Sequence, residues 1–303
     1  MFHGIFLAIE GAASQGIIWG IMTLGVYITF KVLDFADLTV DGSFALGGAV
    51  SAVLISNGMN PFITLFFAFI AGSSAGFITG FLNTKLHIPG ILAGILTMIA
   101  LYSINIRVMG NRPNIPLLGM STSLTVIQNV LSLNKILSDL LMGFIFSVII
   151  ILMMYWFFGT EMGCAIRAAG NNENMIRALG VDTNIMKIIG LMISNALVAL
   201  SGALVTQSQG YADVGMGTGT IVIGLASVII GEVIFGNRFS FLYKLASVVM
   251  GSIIYRIIIA IVLQLGLKAT DLKLLTAVIV AVALSVPVLN RKVAKAVGGK
   301  RKG

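Results

Sequence analysis

Four polar residues at alternate positions, Asp37, Thr39, Asp41 and Ser43, run into an apolar stretch that carries glycines at 42, 47 and 48. Carboxylates beside such a stretch bind or relay ions, pair with a buried cation, gate a pathway or cap a helix. Asp41 directly precedes Gly42-Ser43-Phe44 and has the position of an N-cap for the helix that follows, so the capping and the pathway readings both stand. A second polar stretch, Gln207 to Thr220 (QSQGYADVGMGTGT), has the same character. Gln207, Gln209, Tyr211 and Thr218 there offer hydrogen bonds among four glycines. Two short, glycine-interrupted spans in corresponding halves of a chain are the usual pattern of a translocation site. The expectation is one pathway between them, with Asp37, Thr39, Asp41, Ser43, Gln207, Tyr211 and Thr218 as pathway or gate residues, the second stretch facing a solute or a solute-delivering protein.

The elements that hold these residues follow from composition. Of 303 residues, 58% are hydrophobic and 10% are charged, against roughly 25% charged in soluble domains, so most of the surface faces lipid. Apolar runs long enough for a helix to cross the hydrocarbon layer recur along the chain. They predict an all-α, polytopic transmembrane bundle of about nine spans (eight to ten within the boundary error), some short or broken, forming one domain over 1–303. The spans are 8–30, 42–56, 61–83, 90–107, 138–158, 186–206, 220–235, 241–264 and 273–290. No basic leader precedes Ile5, which reads as the start of a retained helix. Gly72, Gly76 and Gly80, at spacings of four, suit close helix packing.

Orientation follows from the basic residues. The tail 291–303 holds Arg291, Lys292, Lys295, Lys300, Arg301 and Lys302 and belongs in the cytoplasm by the positive-inside rule. Nine spans then put the N-terminus outside, with Lys31, Lys85, Arg167, Arg177, Lys187, Arg238 and Lys244 inside. Arg107, Arg112, Lys135, Arg256, Lys268 and Lys273 fall outside or in the outer part of a span. A net charge of +8 is thereby explained by anionic lipid, without nucleic acid.

Thr160 to Lys187 (TEMGCAIRAAGNNENMIRALGVDTNIMK) is helix-compatible and too polar to cross the membrane. It predicts two short helices, Ala165–Ala169 and Asn174–Leu179, each stopped by a glycine, Gly170 and Gly180, with Asn171 or Asn172 capping the second. Met175, Ile176 and Leu179 give that second helix an apolar side for a partner's groove, or for the headgroup layer.

The series Gly163, Arg167-Ala168, Gly170-Asn171, Ala178, Gly180-Val181, Lys187, followed by a span with Ser201-Gly202-Ala203, resembles the cytoplasmic coupling region of the ABC permeases that import branched-chain amino acids and ribose-type sugars. Leu33 to Gly48 (LDFADLTVDGSFALGG) resembles that family's entry into its second core helix. Its wording is closest to the permeases linked to tryptophan and tyrosine uptake. The chain lacks the extra leading span of the ribose-type pattern. The resemblance implies coupling through Arg167, Ala168, Gly170, Asn171, Asn172, Met175, Arg177, Ala178 and Gly180 to a separate cytoplasmic ABC ATPase that binds ATP and magnesium. It further implies an extracytoplasmic solute-binding lipoprotein, a second permease copy in a homodimer, and a place in the bacterial plasma membrane. The solute it favours is an aromatic amino acid, with a branched-chain amino acid next and a sugar or nucleoside as the alternative.

No phosphate-loop motif is present; Gly298-Gly299-Lys300-Arg301 lacks both the spacing and the hydroxyl. No paired nucleophile and base, and no Cys/His metal set around Cys164, His3 or His87, points to an enzyme or a cofactor in this chain. The rival class is an ion-coupled secondary transporter using intramembrane acids such as Asp41 or Glu232. Arg256, in the outer third of its span, either pairs with an acid or snorkels.

Overall fold

A computed structural model describes residues 2–132, 134–236, 240–266, 271, 274–282 and 285. The basic tail, Arg238, Lys268 and Lys273 lie outside the described residues, as do 283–284 and 286–290 of the ninth expected span, of which 274–282 is helical.

The chain forms α1 (Phe2–Tyr27), which continues as a π-helical turn Ile28–Val32, then α2 (Thr39–Ser56), α3 (Pro61–Thr84), α4 (Gly90–Val108), β1 (Asn114–Pro116) and α5 (Ser123–Leu131). The long α6 (Lys135–Gly159) leads to α7 (Glu161–Asn171) and α8 (Glu173–Ala178). After them come α9 (Thr183–Gln209), β2 (Tyr211–Asp213), α10 (Thr220–Phe235) and α11 (Phe241–Gln264). Seven of these helices, counting α1 with its π turn from Ala8 to Val32, are long and apolar enough to cross a membrane. Among the described residues only α10, at 16 residues, is a shorter apolar helix. The expected spans 8–30, 138–158 and 186–206 are each extended by a few residues.

The helices alternate between two ends of the bundle. One end carries α7 and α8 and is called the loop end. The other carries α5 and the antiparallel β1–β2 ribbon, in which Ile115 faces Ala212, and is called the ribbon end. The ribbon and α5 were invisible in the apolar pattern: three-residue strands are below its reach, and α5 is opened by a Thr122–Thr125 capping box.

The core is built around α9, which α1, α2 and α3 enclose; its central residues Ser194–Ser208 are buried throughout. Lipid tails are as apolar as leucine, so nothing squeezes helices together unless their backbones approach closely. Glycine makes that approach. A Cβ at Gly47 would collide with the Ala199 carbonyl, one at Gly202 with that of Phe44, and one at Gly72 with that of Asn195. Gly76 meets the Leu191 carbonyl in the same way and Gly80 lies tightly against Ile188, so the spacing of four in α3 marks its contact with α9.

One boundary moves for a physical reason. The second span begins at Thr39, three residues before the expected Gly42, because the Asp37 carboxylate accepts the Thr39 N–H at 2.9 Å and starts the turn there. Replacing Gly47 with leucine is therefore expected to destabilise the bundle by about 2 kcal/mol or more. Gly11→Leu, which has open space ahead of it, leaves the fold intact; detergent size-exclusion profiles and thermal midpoints of the two variants provide the check.

Candidate functional site

The polar residues that open α2 do not sit at either end of the bundle. Asn195, midway along α9, donates to Asp37 at 2.7 Å and accepts from Ser43 at 2.7 Å. Thr39 bonds Thr79 of α3 at 2.7 Å. Gly42 packs on Met98 and Leu101, midway along α4. Helix α2 thus starts inside the bundle and runs to the ribbon end.

Helix α10 starts at the same depth and runs the opposite way. The segment 214–219 dips from the ribbon into the bundle, and Asp41 receives its end: the carboxylate accepts from the Gly219 N–H at 2.8 Å, the Thr220 hydroxyl at 2.8 Å and the Ile221 N–H at 2.9 Å. Gly217 lies so close to the Asp41 carbonyl that no Cβ fits. At its far end Glu232 of α10 pairs with Lys31 of the π turn at 2.7 Å. The sequence expectation that Asp41 caps its own helix is corrected. Leu38 holds that cap position without a side-chain bond, Asp37 supplies the local carboxylate, and Asp41 caps α10, whose N-terminal N–H groups would otherwise be orphaned away from water.

Two helix N-termini meeting in mid-bundle are the arrangement found at the binding sites of discontinuous-helix transporters. Beside the junction lies a cavity of about 350 Å³, within the range typical of small-molecule sites. Its walls are chiefly apolar, with Ala45, Met98, Ile99, Tyr102 and Val214, and its polar groups are Asp41, Ser103, Asn105 and Thr218. Asn105, 1% exposed, was not singled out in the sequence because a lone Asn in an apolar helix carries no motif. Its amide donates to the Gly42 carbonyl at 3.2 Å, and its Oδ1 has no partner among the described residues.

The expected pathway residues divide. Asp41 and Thr218 line the cavity. Asp37, Thr39 and Ser43 are buried in bonds that hold α2 against α3 and α9. Gln207 is 3% exposed and fully engaged: its Nε2 donates to Ser51, Thr64 and the Pro61 carbonyl, and its Oε1 accepts from Ser123. The structure therefore places Gln207 as a clamp joining α2, α3, α5 and α9, not facing a solute. Tyr211 is exposed on β2, outside the cavity.

At the loop end, α7 extends through Gly170 to Asn171, so Gly170 is not the stop expected from sequence. Its missing side chain lets α7 lie directly on the Val32 carbonyl of the π turn. Gly180, at φ +85°, does end the hairpin. Asn172, not Asn171, caps α8 by accepting the Met175 N–H at 3.1 Å. Ile176 turns inward, leaving Met175 and Leu179 exposed, so the apolar side of α8 is narrower than expected. Arg167 stacks over Phe241 of α11 at 4.8 Å, and Phe241 in turn contacts Tyr27 and Phe158. Arg177 bonds Glu173 at 2.7 Å, and Lys187 bonds the same carboxylate at 2.6 Å. Ala168 is half-buried on α7 and Ala178 exposed at the end of α8.

A bundle with a mid-depth break, a cavity at the break and a polar helical hairpin at one end defines a membrane permease subunit. The family model for the permease component of branched-chain amino acid transport systems matches residues 8–284, and the chain belongs to that family; it is the permease component of an ABC importer. It is 40% identical to the tyrosine transport system permease protein of Clostridioides difficile (strain R20291), over 91% of this chain and 90% of that one. More distant are the fructose import permease FruG of Bifidobacterium longum (strain NCC 2705), 25% identical over 93% of this chain and 82% of that one, and the ribose import permease of Haemophilus influenzae (strain ATCC 51907 / DSM 11121 / KW20 / Rd), 26% identical over 69% and 64%.

Removing the cap should open the junction. Asp41→Ala is expected to cost about 2 kcal/mol, the upper range for a lost N-cap, and Asp41→Asn less, since its amide oxygen still accepts one bond; thermal unfolding in detergent separates the two. Acidification acts on the hairpin. The hydrogen bond from Lys187 leads in holding the Glu173 carboxyl below the usual glutamate range. Its contribution is therefore complete above that range and is lost only as the pH falls through the lowered value. Being partly exposed, the clamp contributes under about 1 kcal/mol. Limited proteolysis at 171–182 should accelerate below about pH 4 in the wild type, and at neutral pH in Glu173→Gln.

Proposed function

We propose that this subunit carries an aromatic amino acid across the bacterial plasma membrane, through the cavity beside the α2–α10 junction. The observation that carries the reading is the 40% identity over nine-tenths of its length to a tyrosine transport system permease. The cavity supports it: an apolar wall with Tyr102 and Met98 suits a ring, and the exposed Ser103 and Thr218 hydroxyls suit polar groups of the solute. Asp41 is occupied by α10 and is not free to hold the solute's ammonium group.

The loop end is the docking site for a cytoplasmic ATPase that binds ATP and magnesium. Exposed Met175 and Leu179 present the contact, while Arg167 and Gly170 carry its movement onto Phe241 and the π turn. On this reading the ribbon end, with the N-terminus, faces outward and receives an extracytoplasmic solute-binding protein. A second copy closes the cavity along α4, where Ile99 and Tyr102 are 60% and 55% exposed.

The test is uptake into proteoliposomes holding the permease, its ATPase and its binding protein, with labelled tyrosine, tryptophan, leucine and ribose. Expected is ATP-dependent uptake of the aromatic amino acids. A preference for leucine or ribose would overturn the solute assignment, and uptake driven by an ion gradient without ATP would overturn the whole reading. Thr218→Val is expected to lower aromatic uptake roughly 10-fold, the cost of losing one hydrogen bond to a charged or polar solute, at unchanged expression and ATPase binding.

A further inference from the structure

Three successive turns of α4 touch the chain that leads into α2: Met98 packs on Gly42, Gly94 on Leu38 and Gly90 on Phe35. At Gly94 the approach is backbone to backbone, since a Cβ there would stand 2.8 Å from the Leu38 nitrogen. At Gly90 the corresponding position is 2.6 Å from the Phe35 ring. The Met98 contact borders the cavity beside Asp41. Gly90, the first residue of α4, comes eight residues before Met98 and so lies about 12 Å closer to the loop end.

The segment 33–38, between the π turn and α2, is not helical. Such backbone is tolerated at membrane depth where it is buried in protein or lines a water-filled space. Leu33 and Asp37 are buried, Asp34 and Ala36 are exposed, and Phe35 and Leu38 are half-buried against α4. The Thr29 carbonyl accepts the Phe35 N–H at 2.9 Å, and Asn195 donates to Asp37 at 2.7 Å. Among the described residues no hydrogen bond joins the segment to α4, so that contact is apolar throughout. The start of the segment lies under the hairpin. Gly170 of α7 leaves no room for a Cβ against the Val32 carbonyl, and the Leu33 Cα is 2.9 Å from that position. Helix α7 thus touches the segment with no element in between.

An apolar contact without hydrogen bonds parts and re-forms without stranding a polar group in hydrocarbon. We propose that Phe35 and Leu38, lying on Gly90 and Gly94, seal the solute pathway between the cavity and the loop end, and that the segment 33–38 lifts off α4 to release solute. The inference rests on the reading that solute passes beside the α2–α10 junction. Asp37, anchored to Asn195, is the pivot, and α7 bears on the other end at Leu33.

The test uses the full-length chain with Cys164→Ser, which removes its single native cysteine. Thr218→Cys then reports on the cavity. In membrane vesicles that present the loop end outward, a membrane-impermeant thiol reagent is expected to leave Thr218→Cys largely unlabelled, and to label it once Phe35→Ala is added. Equal loop-end labelling with and without Phe35→Ala overturns the proposal. Labelling needs no solute, so it decides the seal whichever solute the subunit carries, and the same reagent applied from the ribbon end tests the pathway separately. A second arm joins Phe35→Cys to Gly90→Cys with a short bis-methanethiosulfonate reagent before reconstitution with the ATPase and the binding protein. Expected is loss of ATP-driven uptake of the solute that the wild type takes up, at unchanged ATPase binding, and its return on reduction. Full uptake by the cross-linked protein overturns the proposal. This pair is compared with itself before and after reduction, so it gives the answer even where Phe35→Ala does not fold.

Discussion

A helix that begins inside a membrane protein exposes N–H groups where no water can take them, and the carboxylate of Asp41 is what takes them here. It reaches from the first turn of α2 to Gly219, Thr220 and Ile221 at the head of α10. The two halves of the chain are therefore joined by charge-assisted bonds midway through the bundle. Without that acceptor the 214–219 segment could not dip into the bundle, because each unsatisfied group in hydrocarbon costs several kcal/mol. The positive ends of both helices also converge there, which gives the carboxylate a favourable field. One side chain thus permits the break in the helices, neutralises it electrostatically and forms part of the cavity wall.

Around this junction the bundle is rigid by close contact. Glycines on α2, α3 and α9 lie against opposing carbonyls, and the Gln207 amide ties four helices in a single hub. From the loop end a series of direct contacts leads to the junction. Helix α7 rests on the π turn through Gly170, the π turn holds α10 through Lys31 and Glu232, and α10 ends at Asp41. The hairpin and the cavity are thus linked through packed elements, with α7 in direct contact with the π turn.

Much of this was legible in the sequence. Long apolar runs gave the spans to within a few residues, and glycine spacing in α3 gave its packing face. The alternating Asp37-to-Ser43 series pointed to the centre of the molecule. What the sequence could not carry was direction. Nothing local says that Asp41 turns to a helix that begins 179 residues later, and a capping residue normally serves its own helix. Gln207 failed in the opposite sense: a polar residue beside glycines looks like a solute contact, and only its packing shows every donor and acceptor occupied. Gly170 looked like a helix stop because the glycine rule speaks of backbone freedom, whereas here the missing side chain admits a neighbouring carbonyl. Asn105 had no pattern at all, since its meaning comes from an unfilled acceptor beside a cavity.

The Asp41–α10 bond also has a place in time. The chain leaves the ribosome from its N-terminus, and Asp41 enters the membrane long before Gly219 exists. Throughout that interval its carboxylate lacks the three donors that occupy it in the finished protein, and until Asn195 is made Asp37 and Ser43 lack their partner on α9 as well, so of the bonds at the head of α2 it is Thr39 to Thr79 that joins α2 to α3 in the meantime. Completion of the α2–α10 junction is thereby deferred to the final third of synthesis. A chain truncated before the 214–219 segment cannot form the α2–α10 junction, and its Asp41 carboxylate is left without the Gly219, Thr220 and Ile221 donors.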